Sequence, residues 1–362
     1  MDTCEPSYSA TSSLPHAPAS VPGHVGVTDV IRIEAAAQAF RDWDHQHGGG
    51  ACHDAIAGYL AWAQRLLDAR TTDPVADRHR TAVADLHILA GWTAFDIGRV
   101  DRAHQHLGDA LRLARLARDD VLVAAIGYRS GRIHLHHNGL DMALADFQSG
   151  QHAAQAGAST LAAAVLHANE AWVTARMGLT SDTLTALGKS MDDFGRSDPD
   201  DAPGWAVFFD TNDLLAMSGV IHTELAQSVD PSFARSAIPA LTAAANGYGP
   251  KMARSKTFSL IALATSHLIE NDTDHAAVVG AQAIDMAMTV RSSRTRDRLL
   301  PLRSTADHRR GSAGARELSE RIAGFAAMSP GCGWAATPSE RTCLSGNDSL
   351  CGTVWRPPAT VD

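Results

Sequence analysis

The stretch Leu89-Ala90-Gly91-Trp92, with Ala103, Leu107 and Ala110 after it, decides the fold, because its spacing returns forty residues later. From Gly91 to Ala103 is 12 positions, and from Gly131 to Ala143 is again 12, with Phe147 and Gly150 in the places of Leu107 and Ala110. A third copy starts at Ala171 and reaches Leu187 as Gly131 reaches Phe147. Seven residues after each start stand Gly98, Asn138 and Gly178, types that tolerate the left-handed backbone of a helix C-cap and tight turn. Each unit therefore reads as two helices joined by a short turn. Small residues at Gly91, Ala103, Gly131, Ala143 and Ala171 let the paired helices cross closely, while Leu107 and Phe147 supply the buried bulk.

Working outward, the later copies are looser. Ala237, Leu241 and Ala244 fit a second helix; Ala264, Ala276, Gly280 and Ala283 fit another unit; Ala315, Leu318 and Ile322 begin a closing helix. Five to six such pairs can share a continuous core and curl into a superhelix. Strand-like alternation is absent and apolar residues recur at i, i+3, i+4 and i+7, so the fold class is all-α. The spacing resembles the tetratricopeptide repeat, which implies a tetratricopeptide-like α-solenoid.

Four regions follow from the composition. Residues 1–26, rich in Ser, Thr and Ala and broken by Pro15, Pro18 and Pro22, read as a disordered leader. Residues 27–80 read as an N-terminal capping helix pair, with Ile33, Ala36, Ala37, Phe40 and Trp43 on one inner face and Ile56, Tyr59, Leu60, Ala63 and Leu67 on the other. His47-Gly48-Gly49-Gly50 stops the first of these helices. Residues 81–327 hold the repeats, and 328–362 read as a loose tail carrying Cys332, Cys343 and Cys351. Asp198-Pro199-Asp200-Asp201-Ala202-Pro203 interrupts the repeats, and Trp205, Phe208 and Phe209 after it are expected to pack the next helix onto its neighbours.

The chain of 362 residues is 45% hydrophobic and 20% charged, the balance of a folded protein and not of a disordered one. No apolar run reaches the roughly 18 residues a membrane helix needs, and no basic-then-apolar signal opens the chain, so a cytoplasmic protein is expected. A net charge of −9 has the wrong sign for a protein that lives on phosphate backbones. Five cysteines at the two ends make no disulfide framework.

Several segments together resemble the C-terminal tetratricopeptide region of actinobacterial, mainly streptomycete, transcriptional regulators. They are Val27-Thr28-Asp29-Val30 with Arg32-Ile33-Glu34, Phe40-Arg41-Asp42-Trp43-Asp44 with the following glycines, Leu89-Ala90-Gly91-Trp92, Trp205 with Phe208-Phe209, and Ser259-Leu260-Ile261-Ala262-Leu263-Ala264. The resemblance covers roughly residues 27 to 310. Such regulators carry an N-terminal helix-turn-helix of the Xre class, and the 26 residues preceding the match hold no basic recognition helix. The resemblance therefore implies the sensory or partner-binding half of a regulator, acting on other proteins or on a small effector, with a DNA-binding transcriptional regulator or a peptide-sensing quorum-type regulator as the alternatives.

The repeat register places Asp85, Ile88, Trp92, Phe95 and Asp96, then Tyr128, Arg132, Leu135 and His136, then Val165, Trp172 and Arg176 on a concave groove. Such a wall suits a protein or peptide partner, with a small effector as the alternative and a homodimer left open. Trp92 and Trp172 are more simply read as core between repeats. His45, His47, Cys52 and His53 have no closed zinc-site spacing, and His134, His136 and His137 cannot share one helix face, so no metal and no cofactor is expected. No phosphate loop, nucleophile elbow or H-E-x-x-H pair occurs. Nine arginines between Arg291 and Arg321, against four acids, form a basic stretch that reads first as a solvated helical face and second as a DNA contact.

Overall fold

The computed structural model describes residues 14–18, 20, 22–290 and 292–328. Cys4 and the three tail cysteines lie outside them, as do the first 13 residues of the expected leader. The described chain is all-α. Its only pairing of strand type among the described residues is an isolated bridge between His24 and Arg70.

Fourteen α-helices succeed one another among the described residues: α1 (Val27–His47), α2 (His53–Arg65), α3 (Asp73–Asp96), α4 (Val100–Ala117), α5 (Asp120–His136), α6 (Leu140–Ala156), α7 (Thr160–Arg176), α8 (Thr180–Arg196), α9 (Thr211–Ser228), α10 (Ala234–Gly247), α11 (Ala253–Ile269), α12 (Thr273–Ala287), α13 (Ser293–Asp307) and α14 (Ala313–Met328). From α3 onward they pack as adjacent pairs, an α-solenoid of helix hairpins. No helix among the described residues is long and apolar enough to cross a membrane.

The forty-residue period has the expected physical basis. Gly98, Asn138 and Gly178 all have positive φ, at 82°, 61° and 75°, at the turns inside the first three pairs. The turns between pairs use the same left-handed device at Arg118 and Ala158, which pay steric strain because neither is glycine. A Cβ on Gly131 would drive into the Phe147 ring, and one on Gly91 would press on the Ala103 carbonyl oxygen at 3.1 Å and on His106 Cβ at 3.3 Å, closer than ordinary contact. Ala103, Ala143 and Ala171 are fully buried.

Two boundaries and one pairing differ from the sequence reading. The 80/81 division falls inside α3, which starts at Asp73 after Thr72 and carries Pro74 in its first turn. The helices α1 and α2 each pack on α3, and they touch one another through the edge of Phe40 on Tyr59 and a 3.3 Å hydrogen bond from Tyr59 Oη to the Arg32 carbonyl. Residues 22–26, expected in a disordered leader, instead lie along α2 and its exit. Val25 is buried, and its carbonyl accepts a hydrogen bond from Thr71 Oγ1. Proline keeps this segment out of helix, but its backbone groups find partners on the folded body.

Buried histidines add a pH sensitivity. His87 is 1% exposed, with Nε2 3.0 Å from Gln64 Nε2 and Nδ1 3.2 Å from His106 Nδ1. Burial first, and the neighbouring His106 second, push its pKa from 6.5 down to about 4. The folded state thus binds fewer protons than the unfolded chain between these values. Its stabilising contribution is complete above pH 6.5 and is lost as the pH falls toward 4.

Two predictions follow from the seams and the histidines. Gly131→Ala should cost about 1–3 kcal/mol by overpacking Phe147, while Gly188→Ala, on an open helix face, should gain about 0.5–1 kcal/mol, as read by urea unfolding. The melting temperature should drop from pH 6.5 to pH 4, and His87→Gln should flatten that slope.

Candidate functional site

The first helix of every pair, α3, α5, α7, α9, α11 and α13, contributes to one central cavity of about 100 Å³. They reach it because the solenoid closes. Arg254 on α11 donates to both carboxylate oxygens of Asp44 on α1, at 2.7 and 2.8 Å, across 210 residues of chain. Asp96, at the end of α3 and fully buried, accepts from Arg294 Nε at the start of α13, from Ser292 Oγ at 2.7 Å and from the Gly49 backbone N–H at 2.8 Å. Arg254 also stands 3.7 Å from Asp96. The glycine run is therefore more than a helix stop, since a Cβ on Gly49 would collide with Asp96 and Thr93. Burial alone would raise the Asp44 carboxyl, but Arg254 beside it holds it down at about 2. Burial works against charged Arg254 too, and Asp44 overcomes it, leaving the guanidinium more basic than usual.

Around the cavity runs a closed belt of alternating guanidiniums and aromatic rings. Arg294 lies 4.2 Å from the Trp92 ring, and Arg129 lies 4.1 Å from the same ring and 4.9 Å from Tyr128. Arg132 lies 5.9 Å from Tyr128 and 4.6 Å from Trp172. Arg298 lies 4.9 Å from Trp172 and 4.1 Å from Phe258, and Arg294 returns to Phe258 at 5.9 Å. All are within reach of cation–π attraction. Outside the belt a second cavity of about 570 Å³ extends toward His136, Arg176, Thr223 and Gln227. Arg132, Trp172, Phe258, Arg294 and Arg298 line both. Trp205 and Phe208, from the segment that interrupts the repeats, stack on Tyr128 at 5.8 and 6.1 Å, and Phe208 with Phe209 walls the inner cavity on that side.

Of the residues that the repeat register selects, Trp92, Tyr128, Arg132 and Trp172 come together at this belt. The indoles prove to be both core and cavity wall, 3% and 6% exposed. Arg132 also donates to Asn169 at 3.1 Å, and Trp172 Nε1 donates to Glu224 at 3.0 Å. His136 sits at the outer rim, 3.2 Å from Asp297, and Arg176 there donates to the Leu135 carbonyl at 2.7 Å and to Asn138 at 2.9 Å. Asp85 does not line the cavity. It accepts both bonds of a 2.8 Å pair with Arg41 and ties α3 to α1, because the first turns of α3 face the capping helices. His45, Cys52 and His53 point apart, toward Phe208, the Gly49 carbonyl and Thr93.

Sequence reasoning missed Arg129, Phe258, Arg294 and Arg298. Arg129 and Arg132 are three apart on α5, and Arg294 and Arg298 four apart on α13, spacings that put each pair on one helix face. The basic stretch is correspondingly not a continuous surface. Arg294 and Arg298 turn inward, Arg310 pairs with Asp307, and Arg321 pairs with Asp285.

The chain matches no protein-family model, and no curated protein matches it.

Removing Asp96 would strand Arg294 and leave Arg254 with Asp44 alone. Asp96→Ala should cost about 3–5 kcal/mol in chemical denaturation, well above Asp85→Ala at the α1–α3 edge.

Proposed function

We propose that the chain is the effector-sensing module of a regulatory protein, non-catalytic and linked to transcriptional control, which encloses a small ligand at the centre of its closed solenoid. The observation that carries this reading is the charge inside. Arg129, Arg132 and Arg298 line the central cavity without a carboxylate within 4.0 Å among the described residues. Arg129 is buried and Arg132 and Arg298 are partly buried; arginines withdrawn from water without acids cost stability, and such a cost is characteristic of binding sites rather than of scaffolds.

The size of the two cavities favours a small effector over an extended peptide or helix. The outer cavity of about 570 Å³ falls in the usual range for small-molecule sites. A two-turn helix about 10 Å across needs roughly 850 Å³. The regulatory link comes from the resemblance to actinobacterial regulators. DNA contact by the basic stretch is disfavoured, because its arginines are divided between cavity, ion pairs and solvent.

A thermal-shift screen of small metabolites against the full chain tests the proposal. The expected result is a compound that raises the melting temperature, by the equivalent of about 2.7 kcal/mol at one hundred times its Kd, with the gain abolished by Trp172→Ala. Sequence-selective DNA binding at physiological salt, or tight binding of a short peptide with no small-molecule hit, would overturn it.

A further inference from the structure

The belt holds four guanidiniums, and its own contacts balance only one of them. Arg294 has Asp96. Arg129 and Arg298 have only ring faces, and Arg132 has ring faces and the neutral Asn169. A ring face returns about 0.5–2 kcal/mol to a cation, less than the several kcal/mol that removing the charge from water costs. Burial accordingly pushes Arg129 down to about 10 and Arg298 well below its usual range.

The acids nearby do not offset this. Burial, with Asp210 close by, pushes the cavity-lining Asp213 up to about 8, so it is largely uncharged at neutral pH, and one of its oxygens has no partner. Glu224, held by Trp172 Nε1, favours the charge on Arg298 but makes no ion pair within 4.0 Å with a belt guanidinium. One guanidinium nitrogen of Arg294, Nη2, is buried without a partner as well. Each indole already carries two guanidiniums, so what the belt leaves for a ligand is N–H edges, not open aromatic faces. Guanidinium edges match the paired oxygens of phosphates and carboxylates.

We infer that the belt binds a small polyanion, a phosphate ester or a di- or tricarboxylate with at least two negative charges, whose oxygens take the N–H edges of Arg129, Arg132 and Arg298. The uncharged remainder of such a ligand extends into the outer cavity beside Thr223 and Gln227. This assignment rests on the effector-sensing reading and adds the ligand's chemical class to it.

The test is isothermal titration of the full chain with pyrophosphate and, separately, with citrate, each against sodium chloride of matched ionic strength. Saturable binding at one site per chain is expected. A response to pyrophosphate alone assigns a phosphate ligand, and to citrate alone a polycarboxylate. Arg129→Met and Arg298→Met should each weaken binding at least about tenfold, the loss of one charge-assisted contact, while the unliganded protein melts at the same or a higher temperature. Arg298→Lys, which keeps the charge and loses the fork, should fall between. Absence of saturable binding by either anion up to roughly 10 mM, weaker than any plausible effector affinity, would overturn the assignment, as would affinities unchanged in both Met variants. If a neutral or cationic compound instead binds in a manner lost with Trp172→Ala, the polyanion class falls and the effector reading stands. If no compound of any charge binds, both fall.

Discussion

The carboxylate of Asp96 is the constraint from which the rest of the architecture follows. It sits at the C-terminal end of α3, where the helix dipole is unfavourable to a negative charge, and is fully buried. It is tolerated because Arg294, Ser292 and the Gly49 N–H all donate to it. Meeting those donors brings α13 and the capping segment to the end of α3. Together with the Asp44–Arg254 pair, this turns an array of hairpins into a ring. The cavity exists because the ring closes, and the inward arginines are withdrawn from solvent for the same reason.

The solenoid was legible in the sequence because repeats are local. Gly91, Gly131 and Ala171 recur at a fixed period, and the positive φ at Gly98, Asn138 and Gly178 follows from residue type and position. The left-handed turns at Arg118 and Ala158 were not legible, since neither residue favours that conformation. Half of the candidate site could be read, because Trp92, Tyr128, Arg132 and Trp172 lie on consecutive first helices and inherit their direction from the period. The other half could not. Arg294 and Arg298 belong to a helix far along the chain, and a run of arginines looks like a solvated face until the end of the array is known to meet its start. Asp44 and Arg254 are 210 residues apart, and no spacing rule connects them.

The interior combines two kinds of ionic chemistry. Asp44 with Arg254 and Asp96 with Arg294 are matched pairs whose hydrogen bonds are satisfied in large part, and they specify where the ends of the array meet. Arg129, Arg132 and Arg298 are surplus charge stacked on rings. The first group holds the shape, and the second gives it a chemical preference. The segment carrying Trp205 and Phe208 belongs with the first group, since it walls the cavity by stacking on Tyr128 without adding charge.

Closure also changes how the repeats depend on one another. In a linear array each hairpin leans only on its neighbours, terminal units fray first, and local opening spreads inward from the ends. Here α1 rests on α11 and α13 is held to α3, so the outermost units guard each other. Amide exchange should then lack the usual gradient from middle to ends, with opening of α13 and loosening of the α3 terminus occurring as one concerted event.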